Sequence, residues 1–132
     1  MKKGDLVLHH IGIAIENIES GIEKLHELCS IDYQTPIIYD PNQRAHLCML
    51  TTKDGVCIEL VQGEIVKSYL KRNQKLYHMC YQTKDIEKTA ERLVSDGAVQ
   101  ISEIQPAVLF EGRKVCFLMT EIGLIELLEG EL

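Results

Sequence analysis

The chain of 132 residues has no apolar run long enough to cross a bilayer. Its opening, MKKGDLVLHH, is not expected to act as a secretory signal, because Asp5 and two histidines interrupt the place where an apolar segment would have to run. The expectation is a cytoplasmic protein. A basic stripe is also missing. Fourteen Lys and Arg stand against 20 Asp and Glu, a formal charge of -6, which makes nucleic acid and anionic membrane poor partners. Close cysteine pairs are absent as well: Cys29, Cys48, Cys57, Cys80 and Cys116 are odd in number and widely spaced. That spacing excludes a cysteine-paired structural zinc site and disfavours a disulfide framework, so buried free thiols are expected.

What the chain does have is a repeat. Shifting the sequence by 68 residues lays His10 on His78, Asn17 on Asp85, Glu19 on Glu87, Leu25 on Leu93 and Cys48 on Cys116. Dropping one residue then brings VCIELV over LIELLE, with Glu59 on Glu126. Each half reads as a strand, an amphipathic helix, a variable stretch and a strand pair. In HHIGIAI, Ile11, Ile13 and Ile15 alternate with His10, Gly12 and Ala14, so one face is greasy and the other nearly empty. The first helix begins after the N-cap Asn17 with Ile18, Ile22, Leu25 and Leu28 on one side; the second follows Asp85 with Ile86, Ala90, Leu93 and Val94 and stops by Gly97. Between the halves, GEIVKSYLKRN reads as a short linking helix, and residues 30–43 and 102–112 read as irregular loops entering the strand pairs.

Strand parity then singles out four side chains. Glu59 shares a face with Cys57 and Val61, and Glu126 shares one with Leu124 and Leu128. A carboxylate between large aliphatic neighbours is costly to bury without compensation, and here it occurs twice at equivalent repeat positions. His10 and His78 recur in the same way. Two imidazoles and two carboxylates suit a divalent ion with room for exchangeable water, so magnesium, manganese, cobalt or nickel is expected rather than structural zinc. His9 has the wrong parity, and His26 and His46 have no repeat counterpart. Arg44 and Arg113, just before the third strands of their halves, are candidates for an anionic substrate group. Asn42 is a candidate for orienting substrate, since a neutral amide cannot act as a base.

With these residues in place, HHIGIAI, IELV, YHMCY and IELLE resemble the ligand-bearing strands of the vicinal oxygen chelate superfamily, also called the glyoxalase and bleomycin-resistance fold. The resemblance covers about Leu8 to Glu129. It implies an α+β fold and one glyoxalase-like domain over residues 1–132, built of two βαβββ modules, module one (about 8–62) and module two (about 76–129), joined by a linker helix (about 63–73). It further implies a single metal held by His10, Glu59, His78 and Glu126 between two curved sheets. Within the superfamily, HHIGIAIENIESGI, EIVKSYLKRN and HMCYQTKDIEKTAERLVSDGA are similar to the methylmalonyl-CoA epimerases, from which the chain departs at Asn42, at Tyr77 and in the short MTEIG turn.

The activity so implied is a divalent-metal-dependent epimerase or isomerase, removing a proton next to a carbonyl, with Glu59 and Glu126 as acid and base. A glyoxalase-type lyase and a binding protein without turnover are the alternatives. An extradiol dioxygenase fits less well, because the second glutamate takes a position that oxygen or substrate needs. The expected partners are a small anionic, carbonyl-containing substrate and a second copy of the chain in a homodimer.

Overall fold

The structure is a computed structural model in which residues 4–131 are described. Strand β1 (Val7–Ala14) leads into helix α1 (Ile18–Leu28), then strands β2 (Ile31–Gln34), β3 (Ile38–Asp40), β4 (Ala45–Thr52) and β5 (Cys57–Gly63). A 3-10 turn (Glu64–Val66) and the short helix α2 (Lys67–Lys71) form the link. The order then repeats: β6 (Leu76–Thr83), α3 (Ile86–Ser95), β7 (Val99–Gln100), β8 (Gln105–Pro106), a 3-10 turn (Val108–Phe110), β9 (Lys114–Thr120) and β10 (Gly123–Glu129). The fold is α+β, as the family resemblance implied. No helix among the described residues is long and apolar enough to cross a membrane.

The chain divides into two compact units, one from His10 to Tyr77 and one made of the residues up to His9 together with those from His78 onward. Both have the same wiring. In the first, β1 runs parallel to β5, β5 pairs antiparallel with β4, and the far side of β4 carries β2 and β3. In the second, β6 runs parallel to β10, β10 is antiparallel to β9, and β9 carries β7 and β8. Each unit is therefore a mixed sheet with one helix in its first crossover. The strand expected after each helix is split in two, and β2, β3 and β8 are drawn from the stretches that read as loops.

Both helices start as the sequence dictates: Asn17 accepts from the Ser20 N–H at 3.0 Å, and Asp85 from the Lys88 N–H at 3.1 Å. A second cap was not foreseen. The first amide of α1, that of Ile18, donates to the Gln62 side chain at 2.7 Å, and the first amide of α3, that of Ile86, donates to Glu129 at 3.1 Å. Gln62 and Glu129 both lie three residues beyond the glutamate of their half, so the repeat ties each helix start to the end of its own last strand. Such a bond to an otherwise orphaned helix amide contributes about 1 kcal/mol.

The apolar stripes need correction at their ends. Leu28 is 72% exposed and Val94 is 44% exposed. Their places beneath the helices are taken by Gly21 and Thr89, equivalent positions that the two halves resolve differently. At Gly21 the helix comes so close that an added Cβ would stand 3.1 Å from Leu60 and 3.2 Å from Ile15. At Thr89 the hydroxyl meets that of Thr83, the counterpart of Ile15, at 2.7 Å in a buried polar pair. Small size solves the contact in one unit and hydrogen bonding solves it in the other.

All five cysteines are free; Cys48, Cys80 and Cys116 are buried, while Cys29 and Cys57 are half-buried. Burial pushes the Cys116 thiol up to about 11, with the negative charges of Glu126 and Glu87 adding to it, and burial raises Cys48 as well. Since the thiolate is the reactive form, folded protein treated with iodoacetamide at neutral pH should be alkylated at Cys29 and Cys57 only, with Cys48, Cys80 and Cys116 modified after denaturation. Peptide mass mapping reads the result. Alkylation of Cys116 at the rate of Cys57 would contradict its burial.

Candidate metal centre

Parity along β1 places His10, Gly12 and Ala14 on the buried face and leaves Ile11 and Ile13 half-buried toward the helix. Across the parallel pair, Glu59 sits beside Gly12, one step along that face from His10. Gly12 offers no side chain, so imidazole and carboxylate turn to each other over it, with His10 Nε2 3.4 Å from Glu59 Oε1. The second unit repeats this register. Glu126 sits beside Cys80, the counterpart of Gly12, and His78 Nε2 lies 3.1 Å from Glu126 Oε1. The floor differs between them. Met49 is the antiparallel neighbour of Glu59, whereas Phe117 is that of Glu126 and meets the His78 ring edge-on at 5.2 Å.

All four side chains are 2% exposed or less. A carboxylate so deeply placed among Leu, Ile and Val needs a cationic counterpart, and a buried His–Glu pair is a weak stabiliser unless something further draws on its donors. The donor set answers that need. Imidazole nitrogen and carboxylate oxygen are ligands of divalent metal ions, and among the described residues no candidate group holds more than one cysteine. The spacing within each pair also fits, since two ligands bonded at about 2.1 Å to one ion stand about 3.0–3.4 Å apart. His9, by contrast, turns its ring edge-on to Phe110 at 5.5 Å, as its opposite parity requires.

The three candidates for substrate contact lie outside the four strands that carry these pairs. Asn42 and Arg44 are exposed in the turn joining β3 to β4. Sequence reasoning missed what holds that turn. Asp40, itself buried, accepts from the Asn42 N–H at 2.9 Å and from the Gln43 side-chain amide at 3.1 Å. The D-P-N-Q order, an Asp two residues before its amide partner, was the available signal for such a turn. Arg44 follows with a left-handed φ of 52°. Arg113 is committed to its own unit, its Nε donating to the Glu129 carbonyl at 2.7 Å and its Nη2 to Gln82 at 3.1 Å, which ties the ends of β6 and β10. Tyr39 pairs with the His46 ring, and Phe110 packs against Cys80, Val115 and Leu128.

A duplicated strand-helix-sheet unit carrying a buried His–Glu pair in each half defines a class, and the family comparison names it. Residues 9–117 match the model of the glyoxalase, bleomycin resistance protein and dioxygenase superfamily, and the chain belongs to that superfamily. Among particular proteins, the ethylmalonyl-CoA/methylmalonyl-CoA epimerase of Cereibacter sphaeroides is 24% identical over 116 residues, covering 84% of this chain and 86% of that one. The crystal structure of methylmalonyl-CoA epimerase from Mycobacterium tuberculosis aligns with a TM-score of 0.75 at 21% identity, over 100% of this chain and 94% of that one. A Streptomyces coelicolor methylmalonyl-CoA epimerase variant in complex with 2-nitronate-propionyl-CoA aligns with a TM-score of 0.70 at 19% identity, over 95% and 97% of the two chains.

Proposed function

We propose that the protein is a divalent-metal-dependent epimerase or isomerase that moves a proton on the carbon next to the carbonyl of an acyl thioester, of which methylmalonyl-CoA is the model. The observation that carries this is the register identity of the two buried pairs, His10 with Glu59 and His78 with Glu126, each lying on the parallel strand pair of its unit. In this proposal the four side chains hold one ion. When bound, that ion supplies Lewis-acid chemistry, lowering the energy of negative charge on a carbonyl oxygen and so acidifying the neighbouring C–H. Glu59 and Glu126 are the proton carriers, one removing the α proton and the other returning one, since two carboxylates from equivalent halves can approach a substrate from different sides.

The remaining side chains serve the substrate. The hydrophobic neighbours that bury both carboxylates also exclude water from the proton transfer. Asn42 orients the substrate, a role its amide can fill without gaining or losing a proton. Arg44 has no acidic partner among the described residues and is suited to an anionic group of the substrate remote from its reacting carbon, whereas the donors of Arg113 are held by Glu129 and Gln82. The superfamily membership and the epimerase relatives support the thioester as the substrate class.

The test is isotope exchange. In deuterated water the metal-loaded protein should wash the α proton out of a 2-methyl acyl thioester with inversion at that carbon, read by NMR, and chelation should stop it. Panels of hemithioacetals and α-hydroxy acyl compounds run beside it. Conversion of the hemithioacetal to a thioester would replace the epimerase with a lyase. Tight binding with no exchange in any member of the panel would leave a binding protein.

A further inference from the structure

Residues 65–75 contain Lys67, Lys71, Arg72 and Lys75 and no acid, in a chain whose formal charge is -6. The fold of the first unit gives this segment a use. Lys67 and Lys71 stand four residues apart on one face of α2, above an open groove of about 560 Å³ whose other side is formed by Tyr39, Arg44 and His46. That volume lies within the range of about 300–1,000 Å³ typical of small-ligand sites. The groove is separate from the candidate metal centre. His46 lies opposite Gln62, and Met49 lies opposite Glu59; their odd spacing along β4 puts the groove on the other face of this sheet from the carboxylate.

Three features of the groove point to one ligand chemistry. Its positive charge is not cancelled: Glu64 pairs with Lys67 at 3.2 Å and Glu16 is the other acid in the lining, which leaves Arg44 and Lys71 without an acidic partner among the described residues. Beside them is the Tyr39 ring, still 50% exposed and propped by His46, whose ring lies 5.0 Å away at a tilt of 60°. Finally, Arg44 holds a left-handed φ of 52°, a conformation an arginine rarely adopts, and backbone strain of this kind concentrates where a side chain must be aimed. Cations next to an aromatic platform recognise phosphate joined to a flat heterocycle.

We propose that this groove binds a nucleoside phosphate, with Arg44 and Lys71 on the phosphates and the base stacked on the exposed Tyr39 ring. The ligand is either a free nucleotide or the nucleotide end of a larger carrier. Its recognition does not rest on the proposed reaction, because the groove's charge and rings are independent of any proton transfer.

The metal-loaded full chain is titrated calorimetrically with adenosine 5′-diphosphate, inorganic pyrophosphate and coenzyme A at low and high salt. ADP is expected to bind, more weakly as salt rises, and to lose at least tenfold in affinity in the Arg44→Gly, Lys71→Gln double variant. Glycine accepts the φ at position 44, so this variant removes charge without unfolding the turn. Tyr39→Ser should weaken ADP several-fold while leaving pyrophosphate unchanged. Coenzyme A binding at least tenfold tighter than ADP, with the same losses, would identify the end of a carrier; equal affinities would identify a free nucleotide; both support the groove. Absence of ADP binding at millimolar concentration overturns the proposal. So does pyrophosphate binding as tightly as ADP with no effect of Tyr39→Ser, which would show an adventitious anion only. No arm requires turnover, so this result and the isotope-exchange result stand or fall separately.

Discussion

Alanine at His10, Glu59, His78 or Glu126 is expected to lower the affinity for a divalent ion by at least about 100-fold, since loss of the outer partners of a metal ligand alone costs about 10–100-fold. The same substitutions should act on the metal-free protein. Each pair is buried to within 2% of full exclusion, so deleting the imidazole leaves a carboxylate among aliphatic side chains with its partner gone. Breaking such a pair destabilises by about 3–5 kcal/mol, whereas an ion present at about 1,000 times its Kd stabilises the intact site by about 4 kcal/mol. Metal titration and urea unfolding with and without the ion therefore read two sides of one prediction. His9→Ala is the control, because that ring lies against Phe110. If His9→Ala weakened the ion as much as His10→Ala, the parity on which the centre is built would be wrong.

That parity was legible in the sequence because a strand repeats every two residues, so a charged side chain among aliphatics declares its face without any knowledge of the partner strand. The repeat added the register: the residue that had to be dropped between the halves is the extra residue of the β4–β5 turn, since Thr51 pairs with Cys57 where Met119 pairs with Leu124. Helix starts were legible for a similar reason, as Asn17 and Asp85 bond within their own first turns. What stayed hidden depends on distant segments. Gln62 and Glu129 cap helices 44 and 43 residues away, and nothing local marks them. Leu28 and Val94 fit the helical period yet lie exposed, because the period says which face is apolar but not where the sheet beneath it ends. Arg44 shows a third limit. Its charge suggested an anion, but its groove required α2 and the β3–β4 turn to be brought together by the fold.

Gly63→Ala is expected to destabilise the protein by about 2–3 kcal/mol and to lower its melting temperature by about 10 °C. The cause is not backbone conformation. Gly63 has φ 161°, extended backbone that alanine adopts freely. The obstacle is its antiparallel neighbour: a Cβ at residue 63 would stand 2.6 Å from the Arg44 carbonyl oxygen and 2.9 Å from the Ala45 Cα. Both are backbone atoms of the turn that aims Arg44, so relief requires β4 and β5 to part at the end where α2 is attached. Gly55→Ala isolates the other effect, for Gly55 has φ 88° and open space around its Cα, and only the strain of a left-handed residue, about 1–2 kcal/mol, should be felt. Adding Ala45→Gly to Gly63→Ala should restore little, because the nearest obstacle is the carbonyl of Arg44 and not the Ala45 methyl. Calorimetric melting of the three variants decides the matter. A Gly63→Ala protein melting within 2 °C of wild type, or full rescue by Ala45→Gly, would mean that the two strands do not approach as closely as their backbone contact requires.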